Sequence, residues 1–280
     1  MNRQLVRSSD TPTVGILLRR WRDRRGVSQL ELASRAASSA RHISFIETGR
    51  AKPSLALLMR LAEELDVPVR ERNTLLVAAG FAPAFPETPL DHPVMETLNG
   101  ELDRLLAAHD PNPTLIHDSV YNVVGANRSL LALVSGVADH LLKPPINTMR
   151  LALHPEGLAP RIRNIAQWRA HLLGQMERQI VMSGSAALAD LCEEVAAYPF
   201  TDRGPVVPAV DAAYALPLLI EWEGRQLSFV TMLTTFNTPL DVTVSELAIE
   251  TFLPSDAETA AALRDKLTEV RPPGHGPGSR

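Results

Sequence analysis

Residues 28–54 read SQLELASRAASSARHISFIETGRAKPS, and the fold of the N-terminal part follows from them. Ser28 with Glu31 three residues on has the spacing of a capping box, in which the serine oxygen accepts from the N3 amide and the glutamate reaches back to the cap amide. Leu30, Leu32 and Ala33 then give the helix an apolar side. Ala36–Ser38 are small enough for two helices to cross closely. Ser39 caps a second short helix from Ala40 to about Thr48, and Gly49 supplies its left-handed C-terminal residue. On that helix Ile43 and Ile46 point inward, while Arg41, Ser44, Phe45 and Thr48 share the other face at spacings of three and four. Pro53-Ser54 opens the next helix.

Working outward, Val14, Leu18 and Trp21 form one stripe of a helix over Val14–Arg25, ended by Gly26. Downstream, Leu57, Leu58, Leu61, Ala62 and Leu65 mark a helix over Ser54–Asp66, and a fifth spans about Val69–Ala79. The whole chain has a formal net charge of -4, but this averages two unlike parts. Residues 1–80 hold 14 Arg and Lys against 8 Asp and Glu, so the remainder is acidic. A basic head attracts a polyanion, and an acidic body limits non-specific sticking.

These residues carry a resemblance. Val14-Gly15, Leu18-Arg19, Arg22, Gly26, Ser28-Gln29, Glu31-Leu32-Ala33, Ile43-Ser44, Ile46-Glu47, Gly49-Arg50 and Pro53-Ser54 resemble the lambda-repressor-like helix-turn-helix of the xenobiotic-response-element (XRE) regulator family. The resemblance implies that the helix from Ala40 enters the major groove of double-stranded DNA. Ser39, Ala40, Arg41, Ser44 and Phe45 are then the base-facing set, with Arg41 the bidentate reader of a guanine edge. Packing on a neighbouring helix is the competing role for Phe45. Gln29, Arg50 and Lys52 are phosphate contacts that position without specifying. Arg22 and Glu47 are expected to form an internal ion pair between the first and third helices.

Phe81–Pro93, FAPAFPETPLDHP, has four prolines and reads as a semi-rigid spacer. The expected domains are residues 1–80, a linker at 81–93, a body at 94–268 and a disordered tail at 269–280. In the body, Val94, Leu98, Leu102, Leu105 and Leu106 stripe a helix to His109. A strand pair turning at Asp118-Ser119 precedes a helix after Asn127. Further helices are expected from Ala159 to Ile180 and from Ser185 to Tyr198. The last third changes texture: Ala215–Glu223, Gln226–Thr235 and Val244–Phe252 read as strands, with Glu223-Gly224 a tight hairpin turn. The fold class is therefore an all-α five-helix head followed by an α+β body with an antiparallel sheet.

The body resembles the MmyB-like ligand-binding domain, a relative of the PAS sensor fold. The carrying segments are Tyr121–Asn127, Asn147–Leu153 with His154-Pro155-Glu156-Gly157, Asn164 with Trp168-Arg169, Thr238–Thr243, Glu246-Leu247 and Glu250–Pro254. Asn237 stands where glycine is expected before Thr238; asparagine also tolerates a left-handed turn. The resemblance implies a sensor for a small, largely apolar molecule, acyl-chain-like in character. Trp168, Leu172 and Met176, at i, i+4 and i+8, read first as a core stripe and second as a pocket wall. Tyr121, Asn127, Met149, His154, Trp168, Met176 and Phe236 are the nominated pocket residues.

No GxSxG, Walker A, dinucleotide turn or HExxH is present in the sequence, so neither an enzyme nor a cofactor is expected. His117-Asp118, His154 with Glu156, and Glu193-Glu194 lack metal-ligand spacing, so no metal is expected. A lone cysteine, Cys192, no apolar run of membrane-spanning length and no apolar segment near the N-terminus fit a reducing cytoplasm. The expected function is a DNA-binding transcription regulator, paired as a homodimer on a pseudo-palindromic operator and tuned by an apolar ligand. The alternatives are a ligand-free dimerisation or partner-binding body, and, further off, a metabolite-modifying enzyme domain.

Overall fold

A computed structural model describes residues 12–201 and 215–269. The expected disordered tail, beyond Glu269, falls outside the described residues, as do residues 1–11 at the start of the head. The chain divides into two compact units, one holding the N-terminal residues to Thr88 together with Thr238–Ser245, the other holding the rest.

The first unit is built on α1 (Val14–Arg24), α2 (Gln29–Arg35), α3 (Ala40–Glu47), α4 (Leu55–Glu64) and α5 (Val69–Ala78). Ser28, Ser39 and Ser54 each accept from the N–H three residues on, of Glu31, His42 and Leu57. Each bond satisfies an amide that the helix start leaves without an internal partner. The Glu31 carboxylate pairs with Arg35. Leu18, Trp21, Leu32, Ile43, Ile46, Leu58, Leu61, Leu65, Leu75 and Leu76 form the core. Leu30 is exposed on the outer side of α2 and takes no part in that core. Helices α1 and α3 cross so closely at Gly15 that a Cβ there would lie 2.4 Å from the Ile46 carbonyl oxygen.

The proline-rich run is tied down over its first half. Asn73 on α5 donates to the Phe85 carbonyl (2.7 Å) and accepts from the Ala84 and Phe85 N–H groups. The Thr88 hydroxyl donates to Asp241 (2.6 Å), and the Val242 N–H donates to the Pro86 carbonyl (2.8 Å). Val244 and Ser245, read from sequence as the start of a strand, instead end a single helical turn, α11 (Val242–Ser245). Asp241 caps that turn by accepting from the Thr243 N–H, and the Ser245 hydroxyl donates to the Val242 carbonyl. These local bonds outcompete a strand ladder.

The second unit is α+β. In chain order it contains α6 (Glu96–His109), β1 (Thr114–His117), β2 (Val123–Ala126), α7 (Arg128–Leu133), α8 (Thr148–Leu153), α9 (Ile165–Ser183), α10 (Ala186–Ala196), β3 (Leu218–Trp222), β4 (Arg225–Thr235), β5 (Ala248–Pro254) and α12 (Ala257–Glu269). The five strands form one curled antiparallel sheet in the order β2-β1-β5-β4-β3. Glu223 and Gly224, at φ +50° and +75°, make the two-residue turn between β3 and β4. Both residues at positive φ is the turn whose twist matches that of paired strands.

Side-chain alternation then assigns the two faces of the sheet. Ile116 and Ile249 are register partners on one face, packed with Leu102 and Leu106 of α6. Val94 is exposed in the 3₁₀ turn that precedes α6 and does not join the stripe. On the opposite face lies the largest core, with Trp168, Leu172 and Met176 of α9, Leu188, Leu191 and Val195 of α10, and Ile220, Leu227 and Phe229 of the sheet.

Candidate nucleic-acid interface and internal cavity

The first candidate site is the outer face of α3. Ile43 and Ile46 are fully buried, which turns the opposite side outward. Ser39, Arg41, Arg50 and Lys52 are exposed, and Ala40, Ser44 and Phe45 are half-buried. Phe45 meets two guanidinium groups, with Arg41 5.2 Å and Arg50 5.9 Å from its ring centroid. Each cation is held over the electron-rich face of the ring. Phe45 therefore organises two exposed arginines, one on the helix and one in the loop after it. The Ser39 oxygen is already engaged as the N-cap of α3.

Beneath this face is a polar clamp. Arg22 Nε and an Nη donate to the two oxygens of Glu47 at 2.7 and 3.0 Å, and the other Nη donates to the Val27 carbonyl at 3.0 Å. Gln29 Nε2 donates to Glu47 at 2.8 Å. The Glu47 side chain is only 2% exposed. The hydrogen bond to Glu47 holds the Arg22 guanidinium pKa above its ordinary value. One carboxylate on α3 thus gathers α1, α2 and the loop between them. Gln29, nominated as a phosphate contact, spends one amide hydrogen on this clamp.

The second candidate site is a cavity of about 70 Å³ inside the body. Its wall includes Leu115 of β1, Met149 of α8, Trp168 and Leu172 of α9, Ile220 of β3 and Phe252 of β5. Of the nominated pocket residues, Met149 and Trp168 line it, and the other five do not. Tyr121 and Met176 are buried in the adjacent core, where the Tyr121 hydroxyl donates to Gln179 at 2.8 Å. Burial pushes the Tyr121 pKa up to about 12. Asn127 has a structural role: its Oδ1 accepts from the Leu130 and Thr114 N–H groups, capping α7 and tying it to β1. Phe236 packs with the α6 cluster on the other face of the sheet. Sequence reasoning missed Glu250, which lines the cavity. Burial raises its carboxyl pKa to about 7.

His154 belongs to a polar cluster near the surface. Its ring meets Tyr198 and His140 edge to face, at 4.9 and 5.3 Å. Beside it Arg150 donates twice to Glu194, at 2.8 and 2.6 Å, and Tyr198 donates to the same carboxylate. Arg150 above all holds the Glu194 pKa down to about 2. His140, His154 and Glu156 each offer a ligand atom within 4.8 Å of the others. His140, distant in sequence, joins His154 and Glu156 in a trio that sequence spacing does not reveal. In that trio His154 Nδ1 already accepts from the Glu156 N–H at 3.1 Å, leaving Nε2 as its free ligand atom.

A family model described as MmyB-like transcription regulator ligand binding domain matches residues 98–265, and one described as Helix-turn-helix matches residues 18–72. No curated protein matches the chain. A solved structure described as an RNA-binding Light-Oxygen-Voltage Receptor is similar at 18% identity with a TM-score of 0.25, covering 92% of this chain. The chain spans 61% of that structure's own length. No helix among the described residues is long and apolar enough to cross a membrane.

Proposed function

This chain belongs to the MmyB-like transcription regulators, with a helix-turn-helix as its DNA-binding part, and from that premise we propose that a small apolar molecule held in the body's cavity tunes sequence-specific DNA binding by α3. The observation that carries this reading is the cavity itself, an almost wholly apolar space within the segment matched to a ligand-binding domain. Apolar walls with few polar groups are what small-molecule sites have in common. Filling the cavity tests it. Leu172→Trp is expected to abolish any response of operator binding to added ligand while leaving basal DNA affinity in place. A response that survives the substitution places the ligand elsewhere.

On the DNA side, Arg41 reads a base edge, supported by Ser39, Ala40, Ser44 and Phe45, while Arg50, Lys52 and Gln29 meet phosphates. Arg41→Ala is expected to relax preference at one base pair per half-site, at a cost of about 1–3 kcal/mol. Lys52→Ala is expected to weaken all sequences alike and to flatten the salt dependence of binding. Titrations of both variants against a specific and a scrambled duplex at two salt concentrations distinguish these roles. Identical behaviour of the two variants would overturn the sorting. One head covers a short half-site, so two heads on a pseudo-palindrome gain through effective concentration. A homodimer is the form that this reading requires.

A further inference from the structure

The strand β5 reads Ala-Ile-Glu-Thr-Phe-Leu-Pro. Alternation sends Ile249 and Thr251 to the α6 face, and Glu250 and Phe252 to the cavity. Leu115 is the register partner of Glu250 across the β1–β5 ladder, so the carboxyl is flanked by aliphatic side chains. Glu250 is half-buried, and its side chain is part of the cavity wall. Its carboxylate has no side-chain hydrogen bond or ion pair among the described residues. A carboxylate set among apolar side chains without a partner is poorly solvated, and a ligand supplying the partner recovers part of that cost.

The rest of the wall narrows what the partner is. Among the described residues it contains no Lys, Arg or His. Its other polar side chains are Thr148, whose hydroxyl hydrogen is directed at the Tyr121 carbonyl at 3.5 Å, and Trp168, whose indole offers one neutral N–H. A ligand carboxylate would find no cation here and would face another carboxylate, so one of the two would have to stay protonated. A ligand ammonium would find Glu250 and the Thr148 oxygen as acceptors. At about 70 Å³ the space holds roughly two waters' worth of volume, enough for an aminomethyl end. Met149, unbranched and adaptable, is the wall residue best able to give way to a longer chain.

We propose that the cavity selects an apolar primary amine, its ammonium bonded to Glu250 and its hydrocarbon part lying between α9 and the sheet. This rests on the reading of the cavity as a ligand site and names the chemical class of that ligand. It departs from the acyl-chain expectation at the polar end while keeping the apolar body of the molecule.

The test is calorimetric titration of the full-length protein at pH 7 with n-octylamine, 1-octanol and octanoate. A charge-assisted hydrogen bond predicts that octylamine binds roughly ten- to a hundredfold more tightly than octanoate. Glu250→Gln, nearly the same in shape, is expected to remove that advantage and leave octanol binding within about threefold, less than a single such bond is worth. Glu250→Met repeats the comparison with an apolar side chain of similar size if the amide variant does not fold. Head-group-blind binding, or amine binding unchanged in the folded Glu250 variant, overturns the amine assignment and leaves the cavity as a ligand site. Absence of binding by all three probes overturns the cavity reading itself. Octylamine binding that persists in Leu172→Trp places the amine outside the cavity and overturns the assignment as well.

Discussion

Arg22→Met is expected to lower the stability of the DNA-binding part by about 3–5 kcal/mol, the range for breaking a buried ion pair by removing one partner. Methionine preserves much of the apolar stem, so the loss falls on Glu47. That carboxylate is 2% exposed and would keep only Gln29 as a neutral donor. The Val27 carbonyl loses its donor in the same step. Because Glu47 is the last residue of α3, relaxation of the stranded charge toward water would unwind or tilt the helix that carries Arg41. Operator affinity is therefore expected to fall with stability. The double variant Arg22→Met/Glu47→Leu should recover much of the stability, since replacing both members of a buried pair by apolar groups is often neutral. Calorimetric melting of the three proteins with parallel DNA titrations checks this. A single variant within about 1 kcal/mol of the wild type, as for an exposed pair, would show that the clamp contributes little.

Glu250→Gln is expected to change how stability depends on pH. The folded protein holds the Glu250 carboxyl pKa at about 7, against an ordinary 4.5, because burial disfavours the ionised form. Between those values the native state keeps a proton that the unfolded chain releases. The contribution is thus largest below pH 4.5 and is lost as pH rises through 7. A displacement of this size corresponds to about 3 kcal/mol across the window. The amide does not ionise, so the variant is expected to match the wild type near pH 4.5 and to be the more stable protein by up to about 3 kcal/mol at pH 8. Melting curves from pH 4.5 to 8.5 read this directly. A pH-independent difference between the two proteins would mean that Glu250 titrates normally in the folded state.

The head was legible because its determinants are local. Ser28, Ser39 and Ser54 declare helix starts within four residues, and the inward positions of Ile43 and Ile46 decide the outward face of α3 without knowledge of anything else. The Glu223-Gly224 turn is local in the same sense. The cavity was much less legible, since its wall is assembled by long-range pairing. Trp168 and Met176 lie on one stripe of α9, and only the packing of that helix decides that the first lines the space and the second is sealed behind it. Phe236, nominated from sequence for the pocket, packs instead with the α6 cluster, because nothing local assigns it to a face of the sheet. Glu250 stood out only as part of a motif, because its inward direction depends on the register of β5 against β1. His140 met His154 through the path of the chain between α7 and α8, which no spacing rule covers.

The connection between β4 and β5 has a thermodynamic consequence. Thr238–Ser245 is grouped with the helical head, where Asp241 accepts from Thr88 and Val242 donates to Pro86, yet a few residues later the same strand of chain supplies Glu250 to the cavity wall. If occupancy of the cavity displaces β5 and so alters operator affinity by some factor, linkage requires operator DNA to alter the ligand's affinity by that same factor. The operator then acts as an effector in its own right, and protein bound at a promoter would answer to a different concentration of the small molecule than protein free in solution.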